Sequence, residues 1–527
     1  MTALICHDQL VRRAAIGDQL RRHAALTPER PAIVFYARSG AVQVITYAEL
    51  DSRSDRLARF LSDRGVGVGD RVAVLSGNIP EYVYTLYGSL KVGAAISGIN
   101  RHFTAEECRV QLDDCSPKIL VTDQAPSSTL SWLGPSSGVE CVVEVGPGEQ
   151  GWQIPTVQMS EILGDDSLKV EATVGVDENT IALLQYTSGT EGVPKAVMIP
   201  HRNFLISTVP AWMDGLGLRQ TDRWLFLLPF HTIAGLGTFT ILTVIGATVI
   251  LMEEVEPNSA LNAAAADDAT VVSQTPTFYL RASESPAFEK VELPSLRKCI
   301  TYGGMISKQV IDRWASRYPH VTWFTYWGQS ELTQLGTVGA FDSFEEIPGG
   351  DPTWIGKPLS QLEIRVVGED GQDGERGELL VRSPSVMAGY FRDQKQTEES
   401  IRGGWLRTGD IVRRDSEGNL FFFDRRKDVI KTGGMNVSSQ EVERILLDHY
   451  GVAECAVVGV PDPEWSEAVV AFVVPVSWGE MSEQDLITHC KSRLASYKAP
   501  KRVTFLRGLP RDAQGKIVKR NLRQDGE

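Results

Sequence analysis

Segments that read as β-strands alternate with segments that read as helices over several hundred residues, and this alternation limits the fold more than any other feature. Thr46 is placed to cap a helix, with Glu49 three residues on and apolar residues returning at Leu57, Ala58 and Leu61. A glycine-rich turn over 65–70 leads into an apolar strand over 71–75, a helix over 78–92 and another strand over 118–122. Residues 9–25 read as a further helix. Such a pattern predicts an α/β fold in which helices cover sheets. The pattern weakens over 124–176, which reads as connecting strands and loops. From about 350 it changes: short β-like runs over 362–367, 377–382 and 419–424 alternate with Gly/Asp turns, so a β-rich subdomain is expected over about 350–426. The last hundred residues mix helices (439–449, 483–494) with strands (452–460, 469–474).

At 527 residues the chain is too long for one core and fits two or three domains. Its 42% apolar and 23% charged residues exclude a mostly disordered, collagen-like or coiled-coil chain. A net charge of −14 argues against a generally basic nucleic-acid-binding surface, while leaving room for a local basic pocket. Cys6, Cys108, Cys115, Cys141, Cys299, Cys455 and Cys490 are odd in number, widely spaced and lack a CxxC pair. Inert thiols in a reducing cytoplasm are therefore expected, not disulfides or a zinc site. The first residues, MTALICHDQLVRRAA, lack the apolar block of a signal peptide. The longest apolar run, 239–252, is too short for a membrane span and reads as buried strand or helix.

Four segments carry chemistry. In 186–195, YTSGTEGVPK, three hydroxyls, two glycines and a lysine fall within nine residues behind a strand over 181–186. Glycines admit an anion close to the backbone, amides and hydroxyls wrap phosphate oxygens, and the lysine adds a point charge. The spacing is not that of a Walker A loop, since Pro194 precedes the lysine and Ala196 follows it. In 325–331, TYWGQSE, an aromatic suits a base, and Ser330 and Glu331 beyond Gly328 suit phosphate oxygen and Mg²⁺. In 404–410, GWLRTGD, Asp410 follows a tight turn and suits the two hydroxyls of a ribose, with Arg425 available to support it. In 509–517, LPRDAQGKI, Lys516 on a glycine turn can reach into another domain's cleft. Each segment has a plainer reading taken alone: a polar surface turn, core aromatics with a solvated acid, a charged hairpin, a solvated C-terminal lysine.

Together, in order and spacing, these segments resemble the adenylate-forming superfamily of acyl-CoA synthetases, non-ribosomal-peptide adenylation domains and luciferases. The pattern is most similar to stand-alone AMP-forming acyl-CoA synthetases. The resemblance extends through 46–50, 228–231 (LPFH), 274–277 (QTPT), 302–304 (YGG), 390–391, 430–436 (IKTGGMN) and 457–462 (VVGVPD), nearly the whole chain. It implies a large N-terminal part (1–426) holding ATP and acyl sites and a small mobile α+β C-terminal domain (427–527). It also implies two steps. A carboxylate attacks the α-phosphorus of ATP and releases pyrophosphate; a nucleophile, often the CoA thiol, then displaces AMP. Charge gathers in the first transition state, so catalysis should be mostly positioning and electrostatics.

By position, Thr187, Ser188, Gly189, Thr190 and Lys195 resemble the triphosphate loop. Glu331 resembles the Mg²⁺-linked acid, and Trp327 lies where an aromatic packs on adenine. Gly303 and Gly304 fall where the backbone approaches the adenine and acyl pocket, and Asp410 with Arg425 resembles the ribose site. Lys516 resembles the lysine of the adenylation step, and Lys427 matches the hinge. In the second step, the segment 431–436 would replace Lys516 at the site, with Lys431 nearby and Gly433 and Gly434 lining a pantetheine channel. His231 falls where a residue gates the acyl site; its plainer reading is a packed core histidine.

Several positions depart from the family pattern. Glu191 replaces Thr or Ser, Ala196 and Asp424 replace common glycines, Ser466 replaces the glycine of a Gly–Glu pair, and Asp512 replaces a common Thr. None removes the Lys, Glu or Asp that the chemistry needs. Relatives that activate amino acids carry an Asp shortly after the 228–231 segment; here 232–239, TIAGLGTF, holds no acid. Phe230, Phe239, Phe278, Tyr302, Leu332, Leu335 and Gly336, with His231, make an apolar pocket suited to an aryl or medium-chain acid. The expected partners are a small-molecule acid and CoA, or a carrier protein in trans; nucleic acid and a membrane span are not expected, and a homodimer is allowed. The competing readings are an enzyme that loads a carrier protein, a specialised member that activates nitrite for diazotisation of an aryl amine, and a non-catalytic nucleotide-binding relative.

Overall fold

The computed structural model describes residues 14–126, 128–148, 151–165, 175–187, 195–426, 428–432, 435–463, 465–479, 481–511 and 517–524. Among these it forms three sheets, each covered by helices. The first has eight strands. Its order is Gly389–Tyr390, Lys195–Pro200, Ile181–Thr187, Ala95–Gly98, Arg71–Leu75, Ile119–Thr122, Cys141–Glu144 and Thr156–Gln158. The six strands from Ile181–Thr187 onward run parallel, while Lys195–Pro200 and Gly389–Tyr390 are antiparallel additions at one edge.

The second sheet is built around parallel strands Pro31–Tyr36, Thr248–Met252, Arg223–Phe226, Val271–Gln274, Lys298–Tyr302 and Thr322–Gly328. It then turns antiparallel through Gly336–Phe341 and Trp354–Pro358 to Leu420–Arg425 and Trp405–Arg414. The β-rich stretch expected from about 350 is thus hydrogen-bonded onto this sheet. Two apolar cores flank these sheets, one containing Phe226, Phe230, Phe239, Leu332 and Leu335 and the other Phe278, Tyr279, Trp314 and Trp323.

The third, five-stranded sheet contains Ile430–Thr432, Met435–Val437, Val452–Asp462, Ser466–Pro475 and Arg502–Phe505. Alternating residues of its two long strands feed two cores, one with Val457, Val469 and Leu446, the other with Val458, Val470 and Leu522. Both draw only on residues from 430 onward, as expected of a unit with its own interior.

Local chemistry accounts for the element ends. Thr46 and Glu49 form a reciprocal capping box at the start of helix Tyr47–Asp63. The helix read over 78–92 begins at Pro80, since proline suits the first helical turn, and ends at Gly93 in the left-handed region. The apolar run 239–252 resolves into helix Thr238–Ile245 and buried strand Thr248–Met252, separated by left-handed Gly246. The final helices are shorter than the sequence suggests, Ser439–Leu447 and Glu483–Lys491. Residues 9–13 of the first expected helix lie outside the described residues; the remainder is Ile16–Leu26. Among the described residues no helix is long and apolar enough to cross a membrane, and the six described cysteines are free and buried.

Candidate active site

Strand ends converge to form the site. Thr187 closes strand Ile181–Thr187 and faces Lys195 in antiparallel register, its hydroxyl donating to the Lys195 carbonyl at 3.4 Å. Ser188, Gly189, Thr190 and Glu191 lie outside the described residues. The Lys195 ammonium has two neighbours: Nζ donates to Gln396 Oε1 at 2.7 Å and sits 5.7 Å from the centre of the Tyr390 ring.

Glu331 lies on the short 3₁₀ turn Ser330–Leu332, which also carries Ser330. Its Oε1 accepts the Tyr390 hydroxyl at 2.9 Å, and its carbonyl accepts the Met387 amide. Burial, and then the Glu331 charge, push the Tyr390 pKa up, so the phenol remains a donor. Tyr390 reaches this position because Gly389–Tyr390 pairs with Met198 and Val197 at the sheet edge. It therefore links Lys195 to the Glu331 carboxylate, a contact absent from the sequence reading although the 390–391 pair belongs to the recognised pattern. One carboxylate fits Mg²⁺, which usually keeps one or two protein carboxylates and completes its shell with phosphates and water. Among the described residues no group of three or more His, Cys, Asp or Glu forms a metal cage.

At the end of strand Thr322–Gly328, the buried Trp327 donates its indole N–H to Asp410 Oδ2 at 2.9 Å. Asp410, itself 5% exposed, faces Arg425 across the sheet, with Arg425 Nε 3.6 Å from Oδ1. Arg425 is half exposed, so the indole is the stronger restraint on the carboxylate. This corner depends on Gly336: a Cβ there would lie 1.7 Å from the Trp327 carbonyl oxygen, so only glycine lets the returning strand approach. Gly328 is exposed at the same turn, opposite Gly336. Gly303, after strand Lys298–Tyr302, has φ +76°, while Gly304 borders Pro276 in open contact.

On the acyl side, Phe230 and Phe239 meet edge to face at 5.3 Å and are fully buried. Leu332 and Leu335 belong to the same core, and Tyr302 packs against it with its hydroxyl pKa raised by burial. Phe278 belongs to the second core, beside Tyr279. His231 is half-buried; its carbonyl accepts from Gln185 Nε2 at 2.9 Å, and Gly98 lies close against its backbone. Burial first, and His102 second, lower the His231 pKa to about 4. At neutral pH it offers a neutral ring to the site.

Of the remaining expected residues, Lys431 lies on the third sheet. Lys431 is exposed, and its amide donates to Glu467. Gly433, Gly434, Lys516 and Lys427, the expected hinge, lie outside the described residues.

Two family profiles match, AMP-binding enzyme over residues 20–391 and AMP-binding enzyme C-terminal domain over 441–516. A feruloyl-CoA synthase from Amycolatopsis sp is 31% identical over 98% of this chain and 99% of its own length. A 2-succinylbenzoate–CoA ligase from Bacillus subtilis is 31% identical over 96% and 97%. A long-chain-fatty-acid–CoA ligase from Mycobacterium tuberculosis is 30% identical over 97% and 98%. Among solved structures, ATP-bound MatB from Rhodopseudomonas palustris matches with TM-score 0.85 at 28% identity, over 97% of this chain and 99% of that one. Apo MatB matches over the same shares at the same identity with TM-score 0.76. With matches end to end and the nucleotide-site residues assembled at the strand ends, the chain belongs to the AMP-binding enzyme family, the adenylate-forming enzymes, and among them to the acid–CoA ligases.

Proposed function

We infer that the protein adenylates a carboxylic acid with ATP and Mg²⁺, releases pyrophosphate, and passes the acyl group to CoA, with an aryl or medium-chain acid as substrate. The observation that carries this reading is a pair of contact sets on consecutive elements: Lys195–Tyr390–Glu331 at the turn Ser330–Leu332, and Trp327–Asp410–Arg425 at the end of the strand before it. The first offers a cation and a carboxylate for a triphosphate and its metal. The second offers a fixed carboxylate that can accept from the two hydroxyls of a ribose. Mg²⁺, when bound at Glu331, neutralises phosphate charge; the chain's part is to hold that carboxylate through Tyr390 and to keep Lys195 aimed by Gln396.

The apolar surroundings, Phe230, Phe239, Leu332 and Leu335, and the absence of an acid over 232–239, support an acyl group without an α-amine. A neutral His231 suits a gate beside an anionic substrate, since it does not trap the carboxylate as a counter-ion. The greater similarity to the ATP-bound than to the apo neighbour supports a resting orientation of the C-terminal domain suited to the ATP-dependent step. On this reading Lys427 is the hinge between 1–426 and 427–527, Lys516 serves adenylation, and Lys431, Gly433 and Gly434 serve thioester formation. Free buried thiols fit a cytoplasmic enzyme.

The test is pyrophosphate release with ATP and Mg²⁺ over fatty, aryl and amino acids, and over nitrite with an aryl amine, each with and without CoA. A carboxylate that yields a CoA thioester is the expected result. Turnover of nitrite and amine alone, or thioester formation only on an added carrier protein, would replace this reading.

A further inference from the structure

We propose that Asp424, Ser439, Lys519 and Glu443 form an interdomain clasp that holds the C-terminal domain in the orientation seen here, making Asp424 and Lys519 positioning residues for the ATP-dependent half-reaction. The proposal rests on the two-step reading above. Asp424 lies one residue before the end of strand Leu420–Arg425 in the large sheet, three residues before Lys427, at a position where the family pattern has a glycine. Its Oδ2 accepts both the backbone N–H and the hydroxyl of Ser439, each at 2.7 Å. Ser439 opens helix Ser439–Leu447 on the other side of the hinge position, so a carboxylate sits at the positive end of that helix.

The chain of contacts continues inward. Lys519 Nζ donates to the Ser439 hydroxyl at 2.5 Å and to Glu443 Oε1 at 2.9 Å. Glu443 Oε1 also accepts the Val457 amide at 2.7 Å. Lys519 starts the last described helix, three residues after Lys516. One network thus ties the large sheet, the first turn of the docking helix, the small domain's long strand and the segment following the adenylation lysine. Asp424 and Ser439 are at most 1% exposed and Glu443 is 6% exposed. Removing one partner from such a buried set leaves an uncompensated charge or an unpaired polar group, so the contact is close to all-or-none.

Next to the clasp, the Ser438 hydroxyl donates to the Phe423 carbonyl at 2.6 Å, a neutral hydrogen bond that adds to it without a charge. Beside the clasp, the docking helix and the sheet border an open cleft of about 200 Å³ lined by Asp351, Arg376, Arg413, Phe421, Glu441 and Arg444. The ion pair across it, Arg444 to Asp351, spans 3.8 Å and is partly exposed, so it adds little. An interface with an open cleft and one buried charge network suits a surface that must separate in each catalytic cycle.

Asp424→Asn and the milder Ser439→Ala test this with the two half-reactions read separately on benzoate, cinnamate and octanoate. Pyrophosphate release from ATP without CoA reports the first; thioester formation from supplied acyl-adenylate and CoA reports the second. The expected result is a fall of about tenfold in the first relative to the second, with Ser439→Ala keeping the wild-type melting temperature within a few degrees. An unchanged ratio, from equal losses or from none, or a shift in the opposite direction, overturns the clasp. Wild-type protein that releases pyrophosphate with no acid removes the two-step reading and the clasp with it, whereas an active wild type with an unchanged ratio in the variants removes the clasp alone.

Discussion

Replacing Tyr390 with Phe removes one oxygen and keeps the ring under Lys195. In the native protein that oxygen donates to Glu331 Oε1 at 2.9 Å. The ring, 5.7 Å from Lys195 Nζ, is unaltered by the change, and Lys195 keeps its bond to Gln396. The loss is therefore confined to one hydrogen bond to a carboxylate, worth about 1.5–3 kcal/mol. Because Glu331 is partly exposed, water can replace part of the bond in the free enzyme. The full value is felt only when nucleotide closes the site. Tyr390→Phe should thus lower kcat/KM for acid-dependent pyrophosphate release by about tenfold to a hundredfold, at about 1.4 kcal/mol per decade. Its melting temperature should stay near that of the wild type, and Glu331→Gln should lose at least as much. Steady-state pyrophosphate release at saturating acid, with ATP and Mg²⁺ varied, measures the effect. Wild-type kcat/KM in Tyr390→Phe would refute the claim that the phenol orients the carboxylate.

Other residues give further tests. Trp327→Phe deletes the indole donor of Asp410, a closer contact than the half-exposed Arg425 at 3.6 Å, so ATP and AMP should bind about tenfold more weakly by calorimetry; unchanged affinity rejects the anchoring role. The His231 pKa is lowered to about 4 by burial, so the unfolded chain binds a proton there between about pH 6.5 and pH 4 that the folded chain does not. This residue therefore makes stability fall as pH drops through that window, and His231→Gln should flatten that part of the stability–pH curve in denaturant titrations. Ser466 has φ +70°, which costs a side-chain-bearing residue about 1–2 kcal/mol, while glycine costs about 0.5–1 kcal/mol of chain entropy. Ser466→Gly should accordingly stabilise the protein by about 0.5–1 kcal/mol in urea unfolding, and destabilisation would show that the seryl side chain makes a compensating contact.

What could be read from the sequence, and what could not, divides by the range of the interaction. Capping by Thr46 and Glu49, the strand over 71–75 and the breaking of the apolar run at Gly246 are set within a few residues, so pattern and turn chemistry suffice. The ordered motifs likewise marked Lys195, Glu331, Trp327 and Asp410, which the fold brings together although they span more than two hundred positions. Phe278 shows the limit of that approach. The sequence groups it with Phe230 and Phe239, but the fold packs it in a different core from theirs. No local feature reports which face of a sheet a following helix will cover.

Tyr390 and Asp424 show the same limit from the other side. Tyr390 gains its role only because a two-residue strand pairs with Met198 and Val197, nearly two hundred positions earlier, and so sets its hydroxyl on Glu331. Asp424 reads as a mere departure from a glycine until helix Ser439–Leu447 docks and turns its first amide toward the carboxylate. In both cases a polar group that a linear reading treats as solvated is committed by a long-range contact, and its desolvation makes that contact costly to break. Such positions are where substitutions should alter chemistry or domain orientation without touching a recognised motif.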